Sequence, residues 1–219
     1  MGSGESVQIE RLVRRKRGRL GEEIEVLFSD ASSFFASLQI WQRKPFHEGD
    51  HLTVDEVALL RTESATIAVR ARAMALLGRA DHSVFHMRQK LVSRGCDSAV
   101  VDMALTDLTR NGSLDDARFA ASWVRNRVRR HPEGQPALIA GLRQRGVDSA
   151  TAEAAVSTVL AEDEISLDDV ARMLAERFLG ARGATPISVC TKMIRRGFSP
   201  AAVRRVVAEL TGTDPAEIK

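Results

Sequence analysis

The sequence predicts a mainly α-helical protein: three tandem three-helix (helix-turn-helix-like) repeats forming an elongated, curved molecule, preceded by a small β-containing N-terminal extension. The first observation is an internal repeat, since "LVSRGCDSAV" at 91–100 recurs as "LRQRGVDSAT" at 142–151 and "MIRRGFSPAA" at 193–202, each 51 residues after the last. The second is that apolar residues around these stretches recur at offsets of three, four and seven, as on one face of an α-helix. The third is that the first sixty residues carry short β-like runs instead. A fixed period of this length is typical of extended repeat proteins.

Residues 1–64 form the predicted extension, a β-hairpin or small three-stranded sheet plus a short helix. The β-like runs "VQIERLV", "EIEVLF" and "SFFASLQIW" are separated by turn-like stretches. Thr53 is predicted to cap the helix, with Glu56 in the capping-box position. The basic loop Arg14–Arg19 between the first two runs either contacts phosphates or is the solvated tip of a hairpin.

The period places the three repeats at 65–112, 113–161 and 162–219, the last with a C-terminal tail. Each repeat begins with one amphipathic helix and ends with two more. The first helix of repeat 1 is predicted at about 65–79, and those of repeats 2 and 3 begin at Ser113 and Ser166. Both serines are predicted caps, with Asp116 and Asp169 in the capping-box positions.

The repeated stretch itself predicts a joint between the second and third helices of each repeat. A glycine can take the left-handed conformation that closes a helix, and the arginine before it faces the negative helix end. An apolar residue follows, and then a cap for the third helix. The glycines are Gly95, Gly146 and Gly197, and the predicted caps are Asp97, Asp148 and Ser199.

The helix that starts at Leu114 has apolar residues on two sides. Phe119 and Trp123 lie away from the main apolar stripe, four residues apart. We interpret them as a seam between repeats, with an exposed aromatic anchor for a partner as the alternative.

Composition and motifs argue against an enzyme. The chain lacks a phosphate-binding glycine loop, and its five histidines do not combine with cysteines in a metal-ligand spacing. We therefore predict no cofactor. The N-terminus lacks a secretory signal, no apolar run is long enough for a membrane helix, and two cysteines do not make a disulfide framework, so we expect a cytoplasmic protein.

Charge is concentrated in the middle of the chain. Residues 68–160 carry 14 Lys and Arg against 9 Asp and Glu, although the net charge of the whole chain is only +3. A basic surface on consecutive repeats suits the phosphates of a nucleic acid, or a helical partner that carries one, and a solvated basic face is the alternative. The candidate binding residues are Arg88, Lys90, Arg94, Arg118, Arg125, Arg127, Arg129, Arg130, Arg143, Arg145, Lys192, Arg195 and Arg196.

With these residues in place, the sequence resembles the RecX family of recombination regulators. The resemblance is carried by "SLDDARFAASWVRNRVRR" at 113–130, "LRQRGVDSATAEAAV" at 142–156 and "MIRRGFSPAAVRRVV" from 193. "ALLGRADHSVFHMRQKLVSRG" resembles the first unit of that family, with His82, Phe85, His86 and Met87 where members more often have charged residues.

The resemblance implies a regulator that binds the RecA recombinase filament on single-stranded DNA. Family members lie in the helical groove of that filament and inhibit its ATPase, strand exchange and coprotease activities. We expect repeats 2 and 3 to bridge adjacent protomers, their arginines meeting acidic recombinase surfaces or DNA phosphates, and the free protein to be monomeric. Two alternatives are a sequence-specific helix-turn-helix DNA-binding regulator and a helical-repeat scaffold for another protein.

Overall fold

The computed structural model describes residues 6–16 and 22–215. Within these ranges the chain forms four strands and ten helices. The strands are β1 Ser6–Lys16, β2 Glu22–Phe28, β3 Ser33–Ser37 and β4 His51–Thr53. The helices are α1 Leu38–Arg43, α2 Val54–Leu77, α3 Val84–Val92, α4 Ser98–Arg110, α5 Asp116–Arg130, α6 Gln135–Arg143, α7 Ser149–Glu162, α8 Leu167–Leu179, α9 Pro186–Arg195 and α10 Pro200–Thr211. The predicted class, mainly helical behind a small β-containing extension, is confirmed; the elongated, curved arrangement stays a prediction.

The N-terminal sheet has four antiparallel strands in the order β3-β2-β1-β4, one more than predicted. The fourth strand has three residues, too few for an alternating pattern to reveal it. "SFFASLQIW" is a strand only as far as Ser37, whose hydroxyl accepts a hydrogen bond from the Gln39 N–H and starts α1. Of the predicted basic loop, Arg14 and Arg15 lie in β1, and residues 17–19 lie outside the described residues.

A single helix, α2, replaces the two helices that the sequence predicted on either side of residue 64. Thr53 caps it and Glu56 completes the capping box, as expected. The helix then continues unbroken to Leu77 because the stretch between holds neither glycine nor proline. The extension and repeat 1 therefore share one element.

The described chain divides into two compact units. One comprises Met1–Asp81 with Met87–Leu114, and the other comprises His82–His86 with Asp115–Lys219. The repeat boundaries at 112 and 161 stay predictions, but the helices α2–α4, α5–α7 and α8–α10 follow the predicted order of three helices per repeat.

The joints between second and third helices form as the sequence predicted. All three glycines have φ of +80° or +81°, the left-handed region that favours glycine. Asp97, Asp148 and Ser199 cap the third helices through their side chains. The apolar positions that align in the period, Leu91, Leu142 and Met193, have no exposed surface, so each repeat buries the same position.

One predicted cap is wrong. Ser166 caps α8 by accepting from the Asp169 N–H, as expected. At the equivalent place in repeat 2, Asp115 caps α5 in place of Ser113. The Asp115 carboxylate accepts from the N–H groups of Ala117 and Arg118, because an ionised cap binds two amides at the positive helix end. Asp116 is thereby left for a different role, described below.

Candidate partner-binding surface

The structure sorts the candidate cations by what each guanidinium or ammonium group contacts. Three of them are held by acids. Arg88 pairs with Asp102 at 2.7 Å, which lowers the pKa of the Asp102 carboxyl through their hydrogen bond. Arg127 donates two hydrogen bonds to Glu133, at 2.5 and 2.9 Å. Arg125 links α5 to the end of α7, and its acid partners are Glu162 at 2.8 Å and Asp163 at 3.2 Å.

Three more candidates lie over aromatic rings. The Arg145 guanidinium is 4.8 Å from the centroid of the Trp123 ring and donates to the Gly141 carbonyl at 2.8 Å. Lys192 and Arg196 lie 5.8 and 5.2 Å from the Phe178 ring. Arg145 and Arg196 occupy the same position of the 51-residue period, so this cation–π contact is a repeated structural feature.

Five candidates remain exposed and form no ion pair within the described part of the chain: Arg94, Arg129, Arg130, Arg143 and Arg195. Lys90 and Arg118 are exposed too, and both interact with other groups of the protein. Further arginines are also exposed without an ion pair among the described residues, among them Arg79, Arg177, Arg182 and Arg204. Charge and exposure alone mark these residues, and no motif in the sequence distinguishes them.

A further regularity is an ion pair between the first and third helices of each repeat, which engages one of the candidate cations, Arg125. In each repeat, an arginine of the first helix pairs with an acid of the third helix 37 residues later. The pairs are Arg70–Asp107 at 4.0 Å, Arg125–Glu162, and Arg172–Glu209. The sequence shows the fixed interval between these opposite charges. Only the packing of the first helix against the third shows that they form ion pairs.

The aromatic pair of α5 contributes to the core of its own repeat, and its interpretation as a seam between repeats stays a prediction. Phe119 is 8% exposed and belongs to the core that α5 forms with α6 and α7. Trp123 lies against Gly141 of α6, where an added Cβ would come within 2.6 Å of the ring. Because Gly141 has no side chain, α6 can approach α5 closely enough for the Trp123 ring to pack against it.

The repeated glycines at 146 and 197 have a function beyond closing a helix. A Cβ at Gly146 would meet the Phe85 Cβ at 2.2 Å, and one at Gly197 would meet the Ala137 Cβ at 2.6 Å. Phe85 and Ala137 lie at the starts of α3 and α6, one repeat earlier in the chain. Gly95, in the first repeat, has no atom of the described residues within 4 Å of that position.

Hydrogen bonds accompany both close approaches. The Ser83 hydroxyl donates to the Arg145 carbonyl at 2.6 Å, and the Gly134 N–H donates to the Arg196 carbonyl at 2.9 Å. Ser83 and Gly134 are 51 residues apart, as are their acceptors. The start of the second helix in one repeat thus docks on the joint of the next, and we call this contact the repeat-docking contact.

Asp116 belongs to the first of these docking contacts. Its carboxylate accepts a hydrogen bond from the Val84 N–H at 2.9 Å, at the start of α3. Burial raises the pKa of Asp116, as do the nearby charges of Asp115 and Asp148, while the Val84 hydrogen bond opposes the rise. Folding therefore has two opposite effects on the ionised form of Asp116. The hydrogen bond from Val84 stabilises it, and the loss of solvation destabilises it by more.

We expect Asp116→Asn to stabilise the protein at neutral pH, because an amide oxygen still accepts from Val84 without the burial of a charge. With a folded-state pKa above its unfolded value, Asp116 makes the wild type lose stability as pH rises through that interval. The advantage of Asp116→Asn should hence be larger at about pH 7 than at about pH 4. Asp116→Ala, which leaves the Val84 N–H unpaired, should lose about 1 kcal/mol. Urea unfolding at both pH values measures this, and an equal difference at both would contradict it.

The described residues show no cluster that indicates a catalytic or metal centre. No group of three His, Cys, Asp or Glu side chains among them is arranged to hold a metal ion. Cys96 and Cys190 are buried and unbridged, and burial raises the pKa of the Cys190 thiol. In the same ranges, no helix combines the length and apolar character needed to cross a membrane.

Comparison with known proteins agrees with the fold and with the resemblance. The model of the RecX first three-helix domain matches residues 70–108, and that of the RecX second three-helix domain matches residues 115–156. The Regulatory protein RecX of Treponema pallidum (strain Nichols) is 38% identical over 147 residues, which cover 67% of this chain and 84% of the relative. That of Halorhodospira halophila is 36% identical over 149 residues, covering 66% and 89%.

Solved structures with the same fold carry the same family name. A crystal structure of regulatory protein RecX superposes with a TM-score of 0.71 at 18% identity, covering 91% of this chain and 98% of that one. The RecX of Lactobacillus salivarius gives a TM-score of 0.57, covering 68% and 97%. The matched family domains lie within repeats 1 and 2, whose helices and joints have been described above. The chain belongs to the RecX family of regulatory proteins.

Proposed function

We propose that this protein is a non-enzymatic cytoplasmic regulator that binds the RecA recombinase filament on single-stranded DNA, in its helical groove, and inhibits ATP hydrolysis, strand exchange and coprotease activity. Membership of a family of regulatory proteins supports the class of function. The resemblance drawn from the sequence supplies the partner.

One observation about the surface carries the proposal further. Arg94, Arg129, Arg130, Arg143 and Arg195 are exposed and lack an acidic partner within the described residues. An unpaired surface cation gains more from a new anion than one that must first leave a carboxylate, because the latter exchanges one ion pair for another. These five arginines are thus the residues we assign to acidic recombinase surfaces or DNA phosphates.

Sequence-specific reading of duplex DNA is disfavoured by the third helices of repeats 1 and 2, which occupy the recognition position of a helix-turn-helix unit. In α7 this helix carries Glu153 and Glu162 and no Lys or Arg. In α4 it carries two aspartates, and its one cation, Arg110, contacts Asp107 at 3.6 Å. Phosphates on both sides of a major groove would repel such helices.

A titration of the DNA-dependent ATPase of RecA tests the proposal. With RecA assembled on single-stranded DNA, added protein should lower the rate of ATP hydrolysis progressively, and the loss should be reversed when extra RecA is supplied. Binding to duplex DNA competitors should not depend on their sequence. An unchanged ATPase rate at stoichiometric excess would favour the scaffold alternative and contradict the proposal.

A further inference from the structure

The repeat-docking contact has two halves and forms twice within the second unit. Each half also occurs once more, and among the described residues that third copy contacts no counterpart. One half is the start of a second helix: Ser83 and Phe85, then Gly134 and Ala137. The other half is a joint, Arg145–Gly146 and then Arg196–Gly197. The period of 51 residues also places a helix start at Thr185 in repeat 3 and a joint at Arg94–Gly95 in repeat 1.

The third helix start has the chemistry of the first. The Ser83 hydroxyl accepts from the His86 N–H at 3.2 Å and donates to the Arg145 carbonyl. The Thr185 hydroxyl accepts from the Ser188 N–H at the same distance of 3.2 Å, and it donates no hydrogen bond within the described residues. Thr185 therefore carries the donor that Ser83 uses for docking.

An exposed apolar side chain accompanies this donor. Ile187 stands two residues after Thr185, as Phe85 stands two residues after Ser83. Ile187 is 53% exposed, and Phe85, whose Cβ covers the face of Gly146, keeps an exposed fraction of 43%. An apolar side chain of this size at a helix start gains from burial against a glycine face.

The third joint has the shape that such a helix start requires. Gly95 adopts φ of +80°, as Gly146 does, and its exposed face has no atom within 4 Å of the Cβ position. At Gly146 and Gly197 that same space is filled by the preceding helix start. The joint at Gly95 thus has the conformation of the two joints that receive a helix start, and no described residue occupies it.

We propose that the repeat 3 helix start of one copy, Thr185–Ile187, docks on the repeat 1 joint, Arg94–Gly95, of a second copy. The Thr185 hydroxyl donates to the Arg94 carbonyl, and Ile187 covers the Gly95 face. The two surfaces differ, so the contact is heterologous and copies add head to tail. At high protein concentration we therefore expect head-to-tail oligomers in place of the monomer expected from the sequence. The proposal goes beyond the proposed function and does not rest on it.

Sedimentation equilibrium of the protein alone, without RecA or DNA, tests this contact. The average mass of the wild type should rise above the monomer mass of 24.0 kDa as its concentration increases. A contact this small associates weakly, so the rise should be visible at roughly 100 µM and above. Ile187→Glu and Gly95→Asn should each stay monomeric, since one charges the helix start and the other fills the joint with a residue that tolerates left-handed backbone. Met173→Glu, a matched change at a side chain 58% exposed on α8, should associate as the wild type does.

Mixing the two blocked variants gives the sharper result. Ile187→Glu keeps an open joint and Gly95→Asn keeps an open helix start, so an equal mixture should form a dimer of about twice the monomer mass and nothing larger. Circular dichroism checks that both remain folded, with Gly95→Asp replacing Gly95→Asn if helicity is lost. A wild type that stays monomeric, variants that associate like the wild type, or a mixture without dimer would each overturn the proposal. None of these results would alter the ATPase test.

Discussion

Gly146→Ala is expected to lower the free energy of unfolding by about 2 to 5 kcal/mol. Part of the loss is the strain of a non-glycine residue at φ of +80°, which costs about 1 to 2 kcal/mol. The rest is steric, because the new Cβ would lie 2.2 Å from the Phe85 Cβ. Phe85 is fixed there by the Ser83 hydrogen bond to Arg145, so the neighbouring helix start cannot yield without losing that bond. Urea unfolding followed by far-ultraviolet circular dichroism measures the difference.

Gly95→Ala is the matched control. It has the same backbone conformation and the same place in the period, but its Cβ meets no atom within 4 Å. It should therefore lose only the strain, about 1 to 2 kcal/mol. Gly197→Ala should behave like Gly146→Ala, since its Cβ would lie 2.6 Å from the Ala137 Cβ. Equal losses at all three glycines would mean that they serve only to close helices.

Neutralising three unpaired arginines, Arg129→Gln, Arg130→Gln and Arg143→Gln together, is expected to raise the concentration needed for half-inhibition of the RecA ATPase about tenfold. Each exposed charge contributes at most about 1 kcal/mol to binding, so three together account for an effect of that order. The salt dependence of inhibition should also weaken, because fewer ions are released on binding. Arg125 is excluded from the set because it already has acid partners, Glu162 and Asp163.

The control removes the same number of charges from arginines that already have acid partners. These are Arg88, Arg172 and Arg205, which pair with Asp102, Glu209 and Asp168. Replacing all three by Gln gives the same net charge but should shift half-inhibition by no more than about twofold. Helicity should be unchanged in both triple variants. If the control weakens inhibition as much as the first variant, total charge decides binding and the assignment to unpaired arginines is wrong.

Local patterns were enough to predict the helices and their joints. A left-handed glycine, a side-chain cap and apolar residues at helical spacing act within about one turn of the chain, so they are visible in the sequence around Gly95, Gly146 and Gly197. The same local rules failed at two places. At the start of α5, two neighbouring residues could serve as the cap, and Asp115 rather than Ser113 does so. At residue 64, the sequence predicted a break between two helices, but α2 continues to Leu77.

The sequence by itself therefore determined the number of repeats, their three-helix order, the conformation of each joint and the excess of cations in the middle of the chain. Only the tertiary structure decided which cations are already paired, that Trp123 packs inside its repeat, and that Gly146 and Gly197 receive the helix start of the preceding repeat. The physical reason is distance along the chain. Caps and turns join residues a few positions apart, whereas ion pairs 37 residues apart and docking contacts about 60 residues apart exist only after the helices have packed.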